Sequence, residues 1–287
     1  MLPVHWTAPP TTTAELTSLG DTVASFWSAQ SAGALTTTVR VRDSVAVTDP
    51  GTCDPGTLAS VALAAHGVKA AADPRTHVVF TFPRRADCGW DSTSTAGGSE
   101  IWVNGASGAS TWAHEFGHNL GLGHASQLAC TGPDGPVPFS DDCTVLDGKD
   151  RPDVMSGPLE RWMGEPAFDL NAALTYGFGW GEVVDASATS VTTVDLAEWP
   201  RGEGTRAVRL PMAAGGDFFV QDRTFVGIGP YPDLHDDVEV VRRVLVDGVP
   251  TSQRILPLAG GRPSRPSWRT GRGRSTPTPC SVCRAGR

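Results

Sequence analysis

His114-Glu-Phe-Gly-His-Asn-Leu-Gly-Leu-Gly-His124 is the stretch that decides the fold, with the spacing H-E-x-x-H-x-x-G-x-x-H. On a helix, residues four apart are separated by about 40° around the axis and by about 6 Å along it. His114 and His118 therefore present their imidazoles to one point, as a tetrahedral metal site requires. Glu115 falls beside that point without facing it, which suits proton transfer with a water activated by the ion. A straight helix cannot bring residue 124 back to the same place. Gly121 supplies the break, because glycine tolerates the left-handed backbone that turns the chain. His124 then approaches from the far side as third ligand. Three protein ligands leave a fourth position open, the catalytic rather than the structural pattern for zinc.

The chain ahead of the motif reads as α/β, or α+β, with a twisted mixed sheet behind the active-site helix. Residues 1–11 read as an irregular lead. Thr12-Thr-Ala-Glu15 is a capping box, and Leu16, Leu19, Val23, Phe26 and Trp27 recur at helical spacing, which predicts a helix of about 18 residues. Ser31-Ala-Gly33 closes it. Thr36 to Arg42 is β-branched and alternating and predicts a strand. A second helix is expected after Pro55-Gly56, a central strand over His77 to Phe82, and a short strand at Ile101-Trp-Val103. The motif helix should run from about Ser110 to Leu120.

Beyond the motif, Ser126 to Pro152 reads as loop, and a short helix is expected between Asp169 and Tyr176. From Glu182 the texture turns to short β-type runs: Val183-Val184, Val191 to Leu196, Ala207 to Leu210, Phe218 to Gln221 and Val238 to Val246. These are spaced like a small antiparallel sandwich. The reading is thus a catalytic domain over 12–182 and a smaller β-rich region over 183–250. Residues 251–287 read as a basic, disordered tail. Cys280-Ser-Val-Cys283 lies inside that tail, and a lone C-x-x-C is a weak metal or redox signal.

Of the net charge of −8 over 287 residues, the last 37 contribute +8, so residues 1–250 carry −16. Such an acidic body excludes the basic footprint of a nucleic-acid binder. No apolar run approaches the roughly 18 residues of a membrane span. The six cysteines fit disulfides in an exported protein, against the alternative of buried free thiols in a reducing compartment. Met1-Leu-Pro-Val-His-Trp carries no visible signal segment, so an extracellular location would need a longer precursor.

With Asp153-Val-Met155-Ser placed 31 residues after His124, the chain resembles the metzincin metallopeptidases, whose Met-turn this segment matches. Phe26-Trp27 ahead of Ser31-Ala-Gly33, Cys88-Gly-Trp90, Glu100-Ile-Trp-Val-Asn104 and Gly177-Phe-Gly-Trp180 resemble the gametolysin (autolysin) family within them. The resemblance implies a secreted zinc endopeptidase with one catalytic ion, acting on extracellular or cell-wall proteins. It implies His114, His118 and His124 as ligands, Glu115 as general base, and Met155 as an apolar floor under the metal. It also makes Ser99, Glu100, Ile101, Trp102, Val103 and Asn104 the strand that borders the cleft and pairs with substrate, and Ser156 to Arg161 a pocket wall. The tyrosine often found near the Met-turn has no counterpart here, so zinc itself is left to stabilise the oxyanion. Cys130 with Cys143, and Cys53 with Cys88, are the expected bridges. A monomer is expected. Two other readings stay open: a catalytically decayed, peptidase-like binding protein, and a structural zinc module closed by a fourth ligand.

Overall fold

Side chains alternating along two strands divide the first half of the chain into two packed faces. The computed structural model describes residues 1–9, 11–70, 73–105, 108–133, 135–140, 143–150, 152–157, 169–186, 193–199, 203–212, 216–223, 237–255 and 278–280. Its first unit, Met1–Gly123, runs β1 (Leu2–His5), α1 (Thr13–Gln30), β2 (Val45–Ala46), α2 (Pro55–Ala65), β3 (Val78–Phe82), β4 (Ser92–Ser94), β5 (Glu100–Asn104) and α3 (Ala109–Asn119). The strands form one sheet in the order β2-β1-β3-β5-β4. All neighbours are parallel except β4, which runs antiparallel to β5. Phe80 and Phe82 of β3, with Trp102 of β5, join Leu2 and Val4 of β1 against Leu58, Ala59 and Ala62 of α2. Ile101 and Val103, one position out of phase, pack on the other face with Leu16 of α1 and Trp112 of α3. The period of two along a strand therefore fills both layers at once.

α1 begins at the capping box: Thr12 N donates to Glu15 Oε2 (2.8 Å) and Glu15 N to Thr12 Oγ1 (3.2 Å). Asp54 caps α2 and Pro55 takes its first position, where no N–H is needed. Cys53 and Cys88 form a disulfide that joins the start of α2 to the loop ahead of β4.

The structure corrects two readings in this unit. Leu2–His5, expected within an irregular lead, is an inner strand paired on both sides. It is only four residues long and contains Pro3, so it carries no legible pattern. Residues 36–42 are not a strand; the partner of β1 is Val45–Ala46, a little further on. β4 is wholly polar, Ser-Thr-Ser, and exists because β5 offers it a ladder.

The second unit is built from His124–Gly157 and the chain from Asp169 onward. Its elements are β6 (Ala125–Ala129), β7 (Thr131–Gly132), β8 (Gly135–Pro136), β9 (Thr144–Leu146), α4 (Ala172–Thr175) with a 3-10 turn at Tyr176–Phe178, β10 (Val183–Asp185), β11 (Val194–Leu196), β12 (Glu198–Trp199), β13 (Ala207–Leu210), β14 (Phe218–Arg223), β15 (Asp237–Val246), β16 (Val249–Ile255) and β17 (Thr278–Cys280). One curled mixed sheet dominates, ordered β10-β13-β14-β15-β16-β6-β9, with β12 also paired to β14. Ala207, Phe219 and Val241 face α4 and Trp199, while Val208 and Val220 pack with Leu196 on the opposite face.

Most of the expected sandwich strands thus join one sheet, with β11 outside it in a two-stranded sheet, and that sheet also draws on residues ahead of 182. Strands β6 and β9, read as loop, complete the large sheet, because β6 finds a parallel partner in β16. A strand whose partner lies more than a hundred residues away leaves no local signal. Nor does regular structure stop at 250: β16 runs to Ile255, and β17 pairs with β11. The rest of the expected tail, 256–277 and 281–287, lies outside the described residues. Cys130 and Cys143 form the second disulfide.

Candidate metal centre

α3 presents two histidines from successive turns. His114 Nε2 and His118 Nε2 lie 3.0 Å apart, with the rings nearly perpendicular at 89°. His118 Nδ1 donates to the Leu122 carbonyl (2.7 Å), which fixes the tautomer and leaves Nε2 with its lone pair. After α3 the chain turns at Gly121, whose φ of +89° is the left-handed region. His124 follows at once. Its Nδ1 donates to Asp147 Oδ2 (3.0 Å), so its Nε2 too is left to accept a metal. Among the described residues, His114, His118 and His124 each offer one ligand nitrogen, all within 4.8 Å of one another. Three imidazole nitrogens, two of them on rings whose Nδ1 is already committed to an oxygen acceptor, form a donor set that fits zinc.

Glu115 lies on the buried side of α3, only 5% exposed. Both of its carboxylate oxygens are engaged: Ser92 Oγ donates to Oε1 (2.7 Å) and Ser94 Oγ to Oε2 (2.6 Å). The same segment is fastened further along α3. Gly97 N donates to the His118 carbonyl (2.8 Å), and Asn119 Nδ2 donates to the carbonyls of Thr95 (2.9 Å) and Glu100 (3.1 Å).

The ends of the loop after His124 are fixed by main-chain bonds. Ala125 N donates to the Met155 carbonyl (2.8 Å), and Ser252 N of β16 donates to the His124 carbonyl (3.2 Å). Met155 and Val154 are buried. Asp153 shapes this turn by accepting from Met155 N (2.8 Å) at Oδ1 and from Asn171 N (2.6 Å) at Oδ2. Asp147 also accepts from Ser126 Oγ (3.2 Å). Burial, which would raise the Asp147 carboxyl, is outweighed by the hydrogen bonds it accepts from His124, Ser126 and Gly148 N, so it sits below the usual carboxylate range. Gly148 beside it has φ +60°, and a Cβ there would meet Gly157 N at 2.8 Å.

One expected substrate contact is overturned. Glu100–Asn104 cannot add an extended substrate, since β5 is paired to β3 on one side and β4 on the other. Ile101, Trp102, Val103 and Asn104 are also buried. The described edge strands of that sheet are β2 and β4, and β4 is the one beside β5. Of the expected pocket wall, Ser156 and Gly157 are described and 158–161 lie outside the described residues. Ser92, Ser94, Asp147 and Ser126 were not singled out by sequence. Single small polar residues carry no motif, and only the fold brings Ser92 and Ser94 to the carboxylate, Asp147 to the imidazole and Ser126 to Asp147.

The described geometry is that of a metal-dependent hydrolase. The family described as gametolysin peptidase M11 matches residues 24–216, about two thirds of the chain. The chain belongs to this family and is a metallopeptidase. No curated protein and no solved structure matches it.

Proposed function

We propose that the protein is a zinc-dependent endopeptidase of the metzincin type, secreted, and directed at extracellular or cell-wall proteins. The observation that carries this is the convergence of three histidine nitrogens with Glu115 next along the same helix. Bound at those nitrogens, zinc would supply Lewis acidity toward the scissile carbonyl and toward water at its open position. Glu115 accepts the proton of the attacking water at its carboxylate and returns it to the leaving amine. Asp147 and the Leu122 carbonyl hold the imidazoles of His124 and His118 in their ligating tautomers. The open edge of β4 suits main-chain pairing with an extended peptide, which gives affinity with little sequence preference.

The two disulfides fit an oxidising compartment. No described helix is long and apolar enough to cross a membrane.

The test is casein hydrolysis by the zinc-loaded chain with and without a chelator, beside Glu115→Ala. Chelation abolishes cleavage and added zinc restores it. Glu115→Ala retains zinc and loses at least about 10²-fold in kcat, the lower end for a general acid–base group. A fully active Glu115→Ala would sink the mechanism. Binding of substrate without cleavage by the wild type would favour the decayed, purely binding alternative.

A further inference from the structure

We infer that Ser92 and Ser94 are positioning residues: their hydroxyls hold the Glu115 carboxylate in the one orientation from which it can exchange a proton with the attacking water. The inference rests on Glu115 being the general base and adds how its geometry is set.

A glutamate side chain on a helix has three rotatable bonds, and a base free to turn about them spends most of its time misaligned. Reaction geometry tolerates little of this, since a misplacement of about 1 Å can cost on the order of 10²-fold in rate. Here each carboxylate oxygen has its own hydroxyl donor, at 2.7 Å from Ser92 and 2.6 Å from Ser94. Strand alternation explains why both can serve. Positions 92 and 94 share a face of β4, and Thr93 between them points the other way.

The donors are themselves held. β4 is locked in register by Ser92↔Val103, Thr93↔Trp102 and Ser94↔Ile101. The turn beyond it is bonded to α3 through Gly97 and Asn119. Helix, strand and carboxylate therefore form a closed frame. A hydroxyl also leaves each carboxylate oxygen a further lone pair, so the group remains able to take a proton. A lysine or arginine in the same place would instead neutralise the base.

The experiment uses the full chain with Ser92→Ala, Ser94→Ala and both together. In the zinc-loaded double variant kcat falls on the order of 10- to 10²-fold, while KM stays within about two-fold, because an interaction used only in the transition state has been loosened. Zinc stoichiometry is unchanged. A second readout needs neither metal nor activity. In the metal-free protein, Ser94→Ala lowers the unfolding midpoint more when Glu115 is present than in a Glu115→Ala background, and this coupling isolates the hydroxyl–carboxylate contact. Should the double variant fail to fold, the single variants carry both measurements.

A double variant with wild-type kcat overturns the inference. So does zero coupling in the metal-free cycle. A double variant faster than wild type also overturns it, since the serines would then be holding the carboxylate away from its task. These outcomes separate from failure of the underlying mechanism, which is read from Glu115→Ala alone.

Discussion

Two of the three candidate ligands commit Nδ1 to an oxygen: His118 to the Leu122 carbonyl, His124 to the Asp147 carboxylate. The two are not equivalent. A backbone carbonyl cannot be removed by substitution, whereas Asp147 can. Asp147→Ala should weaken zinc binding by about 10-fold, the low end of the range for such supporting groups, because the Asp147 side chain is 71% exposed and partly screened. Competition against a chelator of known affinity measures this, and unchanged affinity would show that His124 needs no orienting partner. The convergence of His114 and His118 was legible from spacing alone, since a helix fixes where residues four apart must point, and that of His124 from the glycine that turns the chain. The groups that orient them were not. Asp147 is 23 residues from His124, and Ser94 is 21 from Glu115, and both pairs meet only through strand pairing and loop closure.

Legibility at the level of elements follows who supplies the partner. α1 and α2 announce themselves by caps and apolar spacing within their own residues, and both stand where the sequence puts them. β1, β4 and β6 do not, because each is short and depends on a neighbour far along the chain. Register explains the misplaced cleft strand: Ile101-Trp-Val103 is the most apolar segment of its region because it is internal, and an edge strand needs no such residues. The loop from Cys130 to Cys143 was legible as a unit through its cysteines. Its disulfide spans a sequence separation of 13, and closing a loop of this size is worth about 3 kcal/mol in the chain-entropy account. Replacing both cysteines by serine should lower unfolding free energy by up to that amount. The shift in denaturant midpoint would report it, and no shift would mean that the pairing of β6 with β9 already restrains the loop in the unfolded ensemble.

Taken whole, the second unit gathers charge from across the sequence into its interior. Asp150, Asp153 and Glu239 are buried with Arg223 and the partly buried Arg254, three carboxylates against two guanidinium groups. Burial pushes the Asp153 carboxyl up to about 7 against the pull of Arg223, and the Asp150 carboxyl up to about 6 against Arg254 and Arg223. A carboxyl raised in the folded state binds its proton more tightly there than in the unfolded chain. Its contribution is fully present below about pH 4 and is lost as pH rises through 6 to 7. The metal-free protein should therefore unfold at lower temperature at pH 8 than at pH 5, and Asp150→Asn should flatten that slope. An unaltered slope would place the proton elsewhere. The same interior sets how far the molecule can be trimmed. With the His124 carbonyl bonded to Ser252 and β6 laid along β16, a truncated chain ending near residue 182 would expose the flank on which the third ligand rests. We expect such a fragment to be insoluble or unable to retain zinc, and the shortest self-sufficient protease to extend at least to Ile255.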